Sequence, residues 1–300
     1  MRVYVQTDME GVAGVLDHDN WCQPQSRYYE AGKELLTAEI NAAVDGFFAA
    51  GATQILVADG HGAGGINPRL LDHRAELQRG WARGWPLGLE EGFDFVACVG
   101  QHAKSGTEFS HITHTQWFDW LDMTVNGVSV GEFGQFAMCA SELGIRFIFA
   151  AGEEALAREA QALIPGIETV AVKRGIQPGS GDDLDTKQYM RFHLGAIHLH
   201  PQRACALIRQ GAERALRRAQ QDKDFGIIPM KPPYEMTVMF RGRNGRNKAA
   251  RVSHPNSYVA LLNLPLKPVP QGLPRRRAAA RGTRKTKPLA SHRAAKAAAV

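Results

Sequence analysis

The chain has 300 residues, 44% hydrophobic and 22% charged, the ordinary balance of a soluble globular protein with room for one large or two modest domains. Its formal charge of +6 is unevenly placed: residues 236–300 hold 15 of the 36 Lys and Arg and none of the 30 acids, so the first 235 residues carry 21 basic against 30 acidic groups, a balance of −9. A body of that sign excludes nucleic acid as its main ligand and leaves only the basic tail for it, while the lack of any run near the ~18 apolar residues of a membrane span, and of a signal-peptide core, points to a cytoplasmic protein without a membrane partner.

In chain order, RVYVQT (2–7) predicts a strand and 28–50 an amphipathic helix with Leu36, Ile40, Ala43 and Phe47 on one stripe. Strands are expected at 54–59, 93–99, 146–151 and 168–173, with helices at about 132–143 and at 153–163. Continuously apolar strands separated by helices read as α/β: a parallel-rich sheet covered by helices on both faces. A basic helix over 198–222 presents Ala204, Ile208, Ala212 and Leu216 in register, and the proline pair of MKPPYEMTVMF precedes a strand at 235–240. The expected organisation is a metal-binding catalytic domain over 1–230, a smaller C-terminal α+β element beginning over 231–252, and a basic, disordered tail over 253–300. The four cysteines are widely spaced, without C-x-x-C, and read as reduced thiols rather than a structural zinc site.

The chemistry gathers at strand ends. In open parallel sheets ligands bind beyond the carboxyl ends of the strands. The first strand ends in TDMEG (Asp8, Glu10), the second in ADGH (Asp59, His61), the third in VGQH (His102). The loop after Asp59 is rich in glycine but carries neither phosphate-loop fingerprint, and neither pattern calls for a central histidine. Carboxylates and imidazoles recurring at three tips form a donor set that zinc, manganese or cobalt accepts. Glu132 opens a helix and is either a further ligand or an acid favoured by the helix dipole; for Glu153 and Glu154 the dipole suffices. The polar segment 103–120 offers His111 and His114, either of which could shuttle a proton or stabilise an oxyanion.

The stretches VQTDMEGVAGV (5–15), ILVADGHG (55–62), GQHAKSGT (100–107), HTQW (114–117), NGVSVGEFG (126–134) and AGEEALAREA (151–160) resemble the zinc D-aminopeptidases encoded with bacterial dipeptide-transport operons. That resemblance, over about residues 1–250, implies two Zn2+ per chain held by Asp8, Glu10, His61, His102 and Glu132, with Asp8 as the bridge. It also implies a catalytic His114, Asp59 in a supporting role, short peptides with an N-terminal D-residue as substrates, and a ring-shaped homo-oligomer. Beyond RGRNGRNKAARVSH the chain departs from the family pattern: its acid-free end reads as a shifted reading frame or a basic tail. A metal-dependent phosphoesterase, which uses the same donor types, and a nucleic-acid-binding protein acting through the tail are the competing expectations.

Overall fold

The computed structural model describes residues 1–242 and 246–271. Its central sheet is built from β1 (Arg2–Thr7), β2 (Gln54–Asp59), β3 (Glu76–Gln78), β4 (Phe95–Gln101), β7 (Arg146–Glu153), β8 (Glu168–Gly175) and β9 (Ala196–His198). They lie in the order β3-β2-β1-β4-β7-β8-β9, every pairing parallel except that of the edge strand β9 with β8. Strand alternation divides the side chains between two cores. Val3, Val5, Ala97 and Val99 turn toward α2 (Tyr29–Ala49) and α6 (Pro201–Gln221), while Tyr4, Val96 and Cys98 turn toward α3 (Glu132–Glu142) and α4 (Glu154–Leu163). The α/β expectation with helices on both faces therefore holds. The predicted stripes Leu36/Ile40/Ala43/Phe47 and Ala204/Ile208/Ala212/Leu216 are the buried faces of α2 and α6.

A second, antiparallel sheet is formed by β5 (Trp120–Val125), β6 (Val128–Ser129), β10 (Tyr234–Phe240), β11 (Lys248–His254) and β12 (Val269–Pro270), ordered β12-β11-β10-β5-β6. It is not confined to residues after 231, because β5 and β6 come from the middle of the chain. Their hairpin turns at Asn126-Gly127, with φ of +48° and +82°, the pair that a tight two-residue hairpin favours. Met123, Val125, Met236 and Val238 share a core with Phe133 and Phe136 of α3. Short helices α1 (His18–Trp21), α5 (Thr186–Tyr189) and α7 (Tyr258–Leu262) complete the described chain.

The segment after 252 differs from expectation as far as it is described. Residues 253–271 finish β11 and form α7 and β12. Tyr258 and Leu261 are fully buried, and the Glu142 carboxylate accepts the Tyr258 and Val259 N–H groups, each at 2.7 Å. One and a half helical turns are too short to show a period, so the pattern hid an element that tertiary contacts stabilise. The rest of the basic tail, 272–300, lies outside the described residues, as does any nucleic-acid contact expected of it.

Candidate metal centre

Chain order reverses at β1: β2 and β3 extend the sheet on one side, β4 and β7 on the other. The crevice beyond the tips of β2, β1 and β4 is thus where an open sheet of this kind takes its ligand. Asp8 and Glu10 leave β1, His61 follows β2 and His102 follows β4, while Glu132 is the first residue of α3 and His114 stands in the β4–β5 connection. The tips approach so closely that side chains are excluded at two points. A Cβ on Gly100 (φ +80°) would lie 2.0 Å from the Asp8 carbonyl oxygen, and one on Gly11 would lie 2.0 Å from that of Gln101. Main-chain bonds Asp8 N–H to Val99 O (3.0 Å) and Gly11 N–H to Gly100 O (2.7 Å) lock the two loops together.

The donor atoms form two groups, Asp8/Glu10/His61 and His102/His114/Glu132, within each of which they lie no more than 4.8 Å apart. Asp8 joins them: its Oδ1 is 3.1 Å from His61 Nδ1 and its Oδ2 is 3.2 Å from His102 Nε2. Glu10 Oε2 also lies 3.1 Å from His61 Nδ1, and Glu132 Oε1 is 3.7 Å from His102 Nε2 and 3.8 Å from His114 Nε2. Side-chain exposure rises from 1% at His102 to 8% at His114 and 19% at Glu132, so the cluster opens to solvent on that side. His114 is stacked between the rings of His102 (4.1 Å) and Phe118 (4.4 Å).

Each imidazole is oriented by a main-chain carbonyl that must accept an N–H. His61 Nε2 donates to Cys22 O at 2.8 Å, His102 Nδ1 to Ala103 O at 2.9 Å and His114 Nδ1 to Ile112 O at 2.9 Å. In the neutral ring this leaves the other nitrogen as a bare lone pair turned toward carboxylate oxygens, an arrangement that demands a cation between them. Protons supply that charge when nothing else does. Burial opposes a charged ring at both His102 and His61, yet Glu132 and Asp8 hold His102 at about 10, and the Glu10 and Asp8 carboxylates hold His61 well above the ordinary imidazole range. Burial favours a neutral Glu10, but His61 keeps it well below the usual carboxylate range; Glu132, where burial prevails over His102, rises to about 7. Burial and the neighbouring His102 push His114 down to about 3.

Against known proteins, residues 1–255 match the family model described as D-aminopeptidase. The chain belongs to the D-aminopeptidase family. A D-aminopeptidase of Bacillus subtilis (strain 168) is 31% identical to this family member over 179 residues, 59% of the chain and 65% of the relative; the chain thus spans just under two thirds of that relative's length. The solved structure of the Zn-dependent D-aminopeptidase DppA from Bacillus subtilis, described as a self-compartmentalizing protease, shares the family fold. It has a TM-score of 0.73 at 23% identity, covering 87% of this chain and 94% of that one.

Other predicted positions in this family member separate clearly. His111 is fully buried outside both groups, donating from Nε2 to Leu16 O at 3.1 Å, and burial and Lys173 press it down to about 2. Asp59 turns into the glycine loop, where its Oδ1 accepts Gly65 N–H at 2.8 Å. Glu153 has more than a helix dipole to satisfy. It is fully buried, and its carboxylate accepts Ala103 N–H at 2.7 Å and His111 N–H at 2.5 Å, gripping the loop between His102 and His114. The signal was its position, since β7 runs to Glu153 and puts it at a strand tip like the others. Arg79 was also missed; it donates to the carbonyls of Asp59 (2.8 Å) and His61 (3.0 Å) from a loop with no periodic pattern.

Proposed function

We propose that the protein is a zinc aminopeptidase that hydrolyses short peptides bearing an N-terminal D-residue, such as D-Ala peptides, in the cytoplasm and as a ring-shaped homo-oligomer. One observation carries the reading: three imidazoles, each with one N–H fixed on a main-chain carbonyl, turn their bare nitrogens onto three carboxylates at a sheet switch point. The donor set fits zinc. Asp8 Oδ2, Glu10 Oε2 and His102 Nε2 are buried without a hydrogen-bond partner, and spacings of 3.1–3.2 Å suit two atoms that share an ion about 2.1 Å from each. Asp8, Glu10 and His61 would hold one ion, Asp8, His102 and Glu132 a second. Bound zinc supplies Lewis acidity toward the peptide carbonyl and a nucleophile at neutral pH.

His114 is assigned to the substrate and not to the metal. Five donors already serve two ions, and His114 lies toward the open side with Nδ1–H held by Ile112, which leaves Nε2 to accept or return a proton. The Gln116 N–H on Glu132 Oε1 (2.7 Å) steadies that carboxylate at the mouth. Family membership and the DppA fold support the reaction class, and the description of DppA as self-compartmentalizing supports the oligomer. Among the described residues no helix is long and apolar enough to cross a membrane. The deciding experiment pairs metal analysis of the purified protein with assays on D-Ala peptides, their L-counterparts and a phosphodiester panel. About two zinc per chain and D-peptide turnover are expected; full activity without metal, or turnover of phosphodiesters alone, overturns the reading.

A further inference from the structure

The loop that carries Glu10 away from β1 has no regular structure, yet Glu10, Val12, Ala13 and Val15 are buried. Its main-chain polar groups must therefore find partners inside the protein. Side chains from separate parts of the fold supply them. Lys173 of β8 donates from Nζ to the Glu10 carbonyl and, at 3.4 Å, to that of Val15. Glu39 of α2 accepts Ala13 N–H at 2.9 Å, His198 of β9 accepts Gly14 N–H at 3.1 Å through Nδ1, and His111 takes the Leu16 carbonyl.

Lys173 is the member that packing does not explain. It is 3% exposed, and among the described residues its ammonium makes no ion pair; both of its hydrogen bonds go to main-chain carbonyls. Burying an ammonium costs several kcal/mol, and an apolar residue of similar volume would serve a core as well or better. What an apolar residue cannot do is fix the plane of the Glu10 peptide group and keep a positive charge near the Glu153, Glu39 and Glu10 carboxylates.

Resting on the metal-site reading above, we infer that Lys173 is a positioning residue that holds the Glu10 loop in its zinc-binding geometry, with His198 as an auxiliary anchor. The partners that orient metal ligands typically contribute 10–100-fold to metal affinity. If Lys173 merely satisfied buried polar groups, its removal would lower stability and leave the zinc affinity of the folded protein untouched.

The test uses the metal-free full-length chain, titrated with zinc in competition with a chromophoric chelator, alongside the melting temperature of the metal-free form. Four proteins are compared: wild type, Lys173→Met, His198→Ala and, as a remote core control, Ile208→Val. Lys173→Met is expected to weaken zinc binding by roughly 10- to 100-fold and His198→Ala by less. Ile208→Val should lower the melting temperature with zinc affinity unchanged. A folded Lys173→Met protein with wild-type affinity overturns the inference alone; if that variant does not fold, wild-type affinity in His198→Ala overturns it. A wild-type chain that takes up no zinc overturns the functional reading and this inference with it.

Discussion

At the scale of single residues, three histidines within thirteen positions have three different surroundings, and substitution should separate them. His114→Ala is expected to keep zinc while turnover falls by roughly 10²- to 10⁴-fold, the span of acid–base groups. His102→Ala should lose metal occupancy and recover part of its activity at high zinc, as removal of a ligand predicts. His111→Ala should lower the melting temperature and leave turnover per folded molecule nearly unchanged; zinc content, melting and kcat on the three variants decide. Glu39 gives a prediction in pH. Burial raises it to about 8 even though Ala13 N–H favours its charged form. Between the unfolded value near 4.5 and the folded value near 8 the native state binds more protons, so the contribution of Glu39 to stability is present at low pH and lost as pH rises through 8. Glu39→Gln, which keeps the acceptor for Ala13, should remove a slope of up to about 1.4 kcal/mol per pH unit. Denaturant midpoints of the two proteins from pH 5 to 9 would show it, and parallel curves would refute it.

Among the elements, α7 shows how a short helix is held from outside. Its two buried side chains enter the core beside α3, and the Glu142 carboxylate at the end of α3 takes the N–H groups that the first turn of α7 leaves open. Glu142→Ala is expected to destabilise the protein by about 1.5–3 kcal/mol, the range for hydrogen bonds to a charged group, without changing zinc stoichiometry. Urea unfolding with metal analysis checks both halves of that statement. The β5–β6 hairpin teaches a complementary lesson. Its Asn-Gly turn suits a tight two-residue hairpin, but β6 is only two residues long, and the hairpin persists because β10 pairs with β5 along Met236–Val125 to Val238–Met123.

For the molecule as a whole, metal binding at the proposed site should be coupled to stability. Three carboxylates and two imidazoles crowd together with N–O separations of 3.1 to 3.7 Å, and without a cation they must share protons. Chelation should therefore abolish peptide hydrolysis and lower the melting temperature, with both restored by zinc in a concentration-dependent way, because a ligand that binds only the folded state stabilises it by mass action. A chelated protein that melts as the untreated one does would contradict this. The sequence by itself determined the parallel α/β sheet, the helix faces and the set of tip residues, because hydrophobic period and strand ends are local properties that survive without a fold. Only the tertiary structure decided which of these residues meet. That outcome depends on the order of strands in the sheet, on glycines that let two loops touch, and on the side chains that hold those loops: Glu153 and Lys173, buried charges whose partners lie far away in sequence.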